Sequence, residues 1–141
     1  MNNDGLLDMI FASDPDNSGL AIGGFRYESR VFWNAGTAGA RANHWLRLRF
    51  SGFNNAELIG ARILLNDPDT GKLVGLRNIA SHHSYKSSGA LEAHFGLGGR
   101  TMGDIVVVLL DGRRFEFPGL VAGKYMDLDL KAKTASEVAG K

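Results

Sequence analysis

The sequence predicts an all-β protein: a β-sandwich or jelly-roll-like domain with a β-hairpin ahead of it. Three observations carry this. Glycine supplies 19 of 141 residues and proline only 3; glycine well above the usual ~7%, without proline to match, marks tight turns rather than a collagen repeat or a disordered linker. Apolar residues recur with period two in short runs, the spacing of strands with one buried face. Turn signals such as NDPDTG (66–71) and Asp111-Gly112 separate those runs. No segment carries a sustained helical stripe, so little helix is expected.

The elements follow in order. Leu6–Ala12 and Arg30–Asn34 read as the two strands of the N-terminal hairpin. Between them SDPDNSGLAIGGFRYES (13–29) is dense in turn residues and reads as a long loop. AGTAGARAN (35–43) links the hairpin to the body. HWLRLRF (44–50) then places Trp45, Arg47 and Arg49 on one face and Leu46, Leu48 and Phe50 on the other. A strand is expected over LIGARILL (58–65), a turn at 66–71, and a partner strand over 72–80. After the polar stretch SHHSYKSSG come a strand at 91–95 and the cluster GLGG (96–99), read as a tight turn with positive φ. Residues 104–110 and 113–117 form a hairpin about Asp111-Gly112. Residues 124–130 alternate again, with Met126, Leu128 and Leu130 inward and Tyr125, Asp127 and Asp129 outward. The end, AKTASEVAGK, reads as frayed.

These elements divide the chain into a hairpin segment (1–42), a β domain (43–131) and a flexible tail (132–141). Sixteen basic against fifteen acidic residues leave a net charge of +1, which argues against nucleic acid as a partner, since such binding rests on neutralising phosphates. Cysteine is absent, excluding a disulfide scaffold, a cysteine zinc site and a thiol nucleophile. The longest apolar run, Ile105 to Leu110, is far short of the ~20 residues of a transmembrane segment. MNNDGLLDMIF has no basic n-region, so no signal peptide is expected in these residues.

Two resemblances become usable once these motifs are placed. NHWLRLRF (43–50), IGAR (59–62), SYKSS (84–88), HFGLG (94–98) and VVVLLDG (106–112) together resemble the ASPIC/UnbV domain, found at the C-terminal end of cartilage-acidic-protein-like repeat proteins. NNDGLLDMIF (2–11) is similar to the calcium-loop strand of FG-GAP/VCBS propeller repeats, D-x-D-x-D-G-x-x-D, and RVFWNAG (30–36) to the strand that follows it. The first acid of that pattern would lie before Met1, so the resemblance implies a chain that starts inside a propeller blade. It further implies a non-catalytic binding or adhesion module, extracellular or in the periplasm or cell envelope, with the upstream β-propeller of the parent chain as a partner. The family's Trp-Pro ahead of the Asp-Gly turn is Leu109-Leu110 here, and its glycine-rich segment before the tyrosine is His82-His83.

Candidate sites follow from residue chemistry. Calcium takes oxygen ligands from alternate residues of a tight loop, here Asn2, Asp4, the carbonyl of Leu6 and Asp8, with Gly5 permitting the turn; the missing first acid weakens the set. Asp14, Asp16 and Ser18 alternate similarly but lack a distal acid and read as a solvated turn. Trp45 with Arg47 and Arg49 offers an aromatic platform flanked by guanidinium donors, suited to a glycan or an extracellular protein ligand. The plainer reading packs Trp45 and pairs the arginines with acids such as Asp127 or Asp129. The competing function is a metal- or histidine-dependent hydrolase or lyase using His82 or His83, His94 and a carboxylate such as Glu92 or Asp104. Adjacent strand histidines face opposite ways, so at most one of His82 and His83 could join His94. No G-x-S-x-G elbow is present, and GLGG is too short for a dinucleotide fingerprint.

Overall fold

The structure, a computed structural model, describes residues 5–11, 30–37, 39–82 and 88–139. The chain divides into two compact units, residues 1–41 and 42–141. In the first, β1 (Met9–Phe11) and β2 (Arg30–Phe32) pair antiparallel, with Ile10 opposite Val31. Asp8 fixes the exit of this hairpin by accepting the Asn34 N–H at 2.9 Å. Leu7, Met9, Ile10, Val31, Phe32 and Trp33 are all exposed. Since successive residues of a strand point to opposite sides, the hairpin presents apolar surface on both faces.

The second unit is the sandwich. Its elements are β3 (His44–Ser51), a helical turn α1 (Asn55–Leu58), β4 (Arg62–Asn66), β5 (Leu73–Asn78), β6 (Glu92–Gly98), β7 (Met102–Val108), β8 (Arg114–Val121), β9 (Lys124–Asp129) and β10 (Thr134–Glu137). One sheet has the order β10-β9-β3-β6 and the other β5-β4-β7-β8. All pairs are antiparallel except β3 with β9, which run parallel with Arg47 beside Tyr125 and Arg49 beside Asp127. Alternation builds the core: Leu46 and Leu48, Ala93, Phe95 and Leu97, and Leu128 from one sheet meet Ile63 and Leu65, Ile105 and Val107, and Phe115 and Phe117 from the other. None of these inward residues is more than 8% exposed, which makes the seam between the sheets the hydrophobic centre of the unit.

The expected strands lie close to their places, with three informative differences. The strand expected over 58–65 begins only at Arg62. Asn54 caps α1 instead, its Oδ1 accepting the Glu57 N–H at 3.0 Å while Glu57 Oε2 accepts the Asn54 N–H at 3.3 Å. This reciprocal box favours a helical turn, and Gly60 at φ +88° ends it. The strand expected to stop at Phe117 continues through Pro118 to Val121. β8 is an edge strand, where a missing N–H is tolerated, and Gly119 at φ +64° makes a bulge whose N–H donates to Asp104 Oδ1 at 2.8 Å. The tail expected from residue 132 contains β10. Thr134 to Glu137 pair with β9, Val138 N–H donates to the Tyr125 carbonyl at 2.8 Å, and Lys124 Nζ meets Glu137 Oε2 at 2.6 Å. Backbone pairing and this ion pair hold a segment that shows no apolar alternation.

Turns behave as their chemistry dictates. In NDPDTG, Asp67 Oδ1 accepts the N–H groups of Asp69 and Thr70, and Gly71 takes φ +67°. At the β7–β8 hairpin Asp111 accepts the Arg113 N–H at 3.0 Å and Gly112 sits at φ +87°. GLGG is not all turn as expected: β6 continues through Gly96 and Leu97 to Gly98, which carries a positive φ, +61°. No helix among the described residues is long and apolar enough to cross a membrane.

Candidate functional site

The outward residues of the β10-β9-β3-β6 sheet form the most chemically varied face of the sandwich. Register sets the neighbours: Trp45 lies opposite Gly96 on β6, Arg47 between His94 and Tyr125, and Arg49 between Glu92 and Asp127. On the β9 side, the Gly123 N–H donates to the Trp45 carbonyl at 2.7 Å. The indole therefore stands between two glycines, and a β-carbon on either one would meet nothing within 4 Å. It stacks with the His94 imidazole, at 6.0 Å between centroids and 10° between planes.

The next rows are occupied by ion pairs. Glu92 is a shared acceptor: Arg47 Nε donates to Oε2 at 2.7 Å and the Tyr125 hydroxyl to Oε1 at 2.6 Å. The Arg47 guanidinium also lies 4.7 Å over the Tyr125 ring. Burial, and secondarily the bond to Glu92, pushes the Tyr125 phenol above its ordinary value. Arg49 donates through Nε and Nη2 to Asp127 Oδ2 at 3.0 and 2.7 Å, which holds its own pKa above the usual range. Asp127 Oδ1 is buried without a hydrogen-bond partner among the described residues.

The structure thus brings Trp45, Arg47 and Arg49 onto one outward face, as period two requires. It also joins the two arginines to carboxylates. Asp127 as a partner is consistent with the alternation of 124–130, whereas Asp129 instead accepts the N–H groups of Lys131 and Ala132. Glu92 and Tyr125 as members of the site were missed, because only strand order shows that β6 and β9 flank β3.

The other candidates lie elsewhere. Asn2, Asp4 and His83 fall outside the described residues, as do Asp14, Asp16 and Ser18. Of the calcium set, Leu6 and Asp8 are described; Gly5 has the positive φ, +84°, of a sharp turn, and one oxygen of Asp8 is engaged by Asn34. His94 sits beside Trp45, while His82 lies beyond β5 in a depression that His94 does not line. The carboxylates proposed to serve them are engaged, Glu92 by Arg47 and Tyr125, Asp104 by the Gly119 N–H. Among the described residues no three His, Asp or Glu side chains are placed to hold a metal ion.

With this geometry in view, the family model described as ASPIC and UnbV matches residues 52–135. The chain belongs to the ASPIC and UnbV family. Searches of curated proteins and of solved structures return no match. The matched span takes in α1, β4 to β9 and the first residues of β10, while β3, with Trp45, Arg47 and Arg49, lies just ahead of it. ASPIC and UnbV is not a known catalytic family, which is compatible with a binding module.

Proposed function

We propose that this ASPIC and UnbV chain is a non-catalytic extracellular or cell-envelope binding module, with the outward face of the β10-β9-β3-β6 sheet as its glycan-binding surface. The observation that carries this is the Trp45–His94 aromatic pair bracketed by Gly96 and Gly123. Bare backbone on both sides leaves room for a flat ring to lie against the indole, the arrangement by which aromatic side chains receive the apolar face of a sugar. Arg47 and Arg49 already hold carboxylates, so the surface near the indole suits a neutral sugar, with Glu92 and Tyr125 supplying hydroxyl partners. Binding of the wild-type chain to a glycan array, lost in Trp45→Ala with its circular dichroism intact, is the expected result. Retention of no glycan by either protein, or of the same glycans by both, removes the reading. Retention of an extracellular protein alone would reassign the face.

The setting beside a calcium-binding β-propeller is part of the same proposal. Its support is the resemblance at 2–11 and 30–36 together with the hairpin's apolar residues on both faces. A two-stranded hairpin is marginal by itself, and such residues suit a sheet with further strands and covering layers. Calcium would be held by Asn2, Asp4, the Leu6 carbonyl and Asp8. Titration calorimetry on this chain and on one extended upstream tests it: heat of binding that strengthens with the extension is expected, and none in either removes calcium.

A further inference from the structure

The geometry points to a second binding site, for an acidic sugar, in the depression between the β4 entry and the β5 exit. It lies within the family match and on a different sheet from the Trp45 face. The depression is shallow and open to solvent, with a volume of about 450 Å³, and is lined by Gly60, Arg62, Asn78, Ile79, Ser81 and His82 among others; such a surface suits a small polar ligand held by hydrogen bonds and charge rather than by enclosure.

Its backbone is fixed. Gly60 N–H donates to the Ile79 carbonyl at 2.7 Å, and Ile79 N–H to the Ala61 carbonyl at 2.9 Å. A side chain at Gly60 is disfavoured by φ +88°, and an added β-carbon would also displace the exposed Leu110 side chain, whose Cδ1 would lie 2.6 Å from it. Two segments that carry the family resemblance therefore meet here: IGAR lines the depression, and Leu110 of VVVLLDG closes behind Gly60.

Charge identifies the ligand. In the sandwich Arg47, Arg49, Arg100, Arg113 and Arg114 each hold a carboxylate, and Arg77 holds the carbonyls of His94 and Leu76. Arg62 holds neither among the described residues. Its cross-strand neighbours are Asn78 and Val108, and among the described residues no acid lines the depression. Directly paired strand residues have β-carbons about 5 Å apart, so the Arg62 guanidinium and the Asn78 amide can meet one ligand. His82 Nδ1 faces the Ser81 hydroxyl at 3.1 Å, which leaves Nε2 to a ligand. A planar fork beside an amide and an imidazole fits a carboxylate on a hydroxylated ring: the guanidinium takes the carboxylate in two parallel bonds, and the neutral groups take hydroxyls.

The test is a proton–nitrogen correlation titration of the whole chain with sodium glucuronate, with glucose and sodium acetate as comparisons. Glucuronate is expected to shift amides within 59–62 and 78–82 saturably. Arg62→Gln should raise the apparent Kd about tenfold, the loss expected with a bidentate charged contact, and Arg62→Lys should weaken it less. Trp45→Ala should leave the titration unchanged, so failure on the Trp45 face and failure here are separate results. Equal shifts with glucose, an unchanged Kd in Arg62→Gln, or shifts scattered over all arginines overturns the site. Acetate binding as tightly as glucuronate overturns the sugar assignment.

Discussion

Gly103 and Leu65 should be energetically coupled across the β4–β7 region of the core. Gly103 is buried on β7, and a β-carbon there would overlap Leu65 Cδ1, with Leu65 Cγ and the Asn66 carbonyl each at 3.7 Å. Leu65 is 1% exposed and has no solvent to move into. Gly103→Ala alone therefore forces a buried leucine off its rotamer, at a cost of about 1–3 kcal/mol. Leu65→Ala alone removes buried methyl groups and leaves a cavity, at a cost of about 2–5 kcal/mol. In the double variant the overlapping Leu65 methyl is gone, and the Asn66 carbonyl lies at an ordinary contact distance from the new methyl. It also occupies part of the volume that Leu65 vacated. The cost of Gly103→Ala should then fall close to zero, giving a coupling of about 1–3 kcal/mol in favour of the double variant. Urea unfolding of the four proteins, followed by far-ultraviolet circular dichroism, measures it, provided the m-values agree. Additivity within about 0.5 kcal/mol would mean that the close approach is not what keeps residue 103 a glycine.

Three further outcomes follow from local chemistry. Asp67 is held at about 2, first by the Arg100 side chain and then by Thr70; its contribution to stability is present above its ordinary value near 3.8 and is lost as pH falls toward 2. The stability gap between wild type and Arg100→Met should thus shrink between pH 5 and pH 2, and urea midpoints showing a constant gap would count against the pair. The Tyr125 phenol is raised, so its contribution is complete below the ordinary value of 10 and is lost as pH climbs through the folded value. Wild type should lose more stability than Tyr125→Phe in that alkaline window, and parallel losses would show that Glu92 and burial do not hold the phenol neutral. Replacing the α1 cap by Asn54→Ala should cost about 0.5–2 kcal/mol in thermal unfolding and Asn54→Gly only a few tenths; an alanine variant as stable as the glycine one would dismiss the capping box.

The sandwich was legible because its information is local. Period two in 44–50 and 124–130 assigned the inward leucines, and the glycine and aspartate turns separated the strands. What was not legible depended on partners. Residues 134–137 carry no apolar alternation and become a strand only because β9 offers an open edge. α1 is four residues long, too short to show a period, although the Asn-x-x-Glu spacing at 54–57 was its available signal. The strand expected over 113–117 runs on to Val121, because Pro118 sits on an edge where its missing N–H costs no ladder bond. At the candidate face, Trp45, Arg47 and Arg49 were readable as one outward row. Glu92, from a strand 45 residues away in sequence, was not readable as Arg47's partner.

The same contrast explains why two arginine-bearing strands of one sandwich have opposite electrostatic consequences. β3 reads as the more basic strand, with two outward guanidiniums, and by sequence alone it is the better anion site. Its flanking strands cancel it. β6 brings Glu92 to Arg47, and the parallel neighbour β9 brings Asp127 to Arg49. β4 has the single outward Arg62 and looks weaker. Its row runs Asn78, Arg62, Val108, Arg114 across the sheet without an acid, and Arg114 is satisfied along its own strand by Glu116. An outward strand arginine is most open to a ligand where neither neighbouring strand places a carboxylate beside it, because an internal ion pair competes with the ligand for the guanidinium. By that criterion β3 offers an aromatic ring and neutral hydrogen bonds, whereas β4 offers an open positive charge. The two faces should therefore differ in salt dependence as well as in ligand: Arg62 binding should weaken as ionic strength screens it, and binding at Trp45 should not.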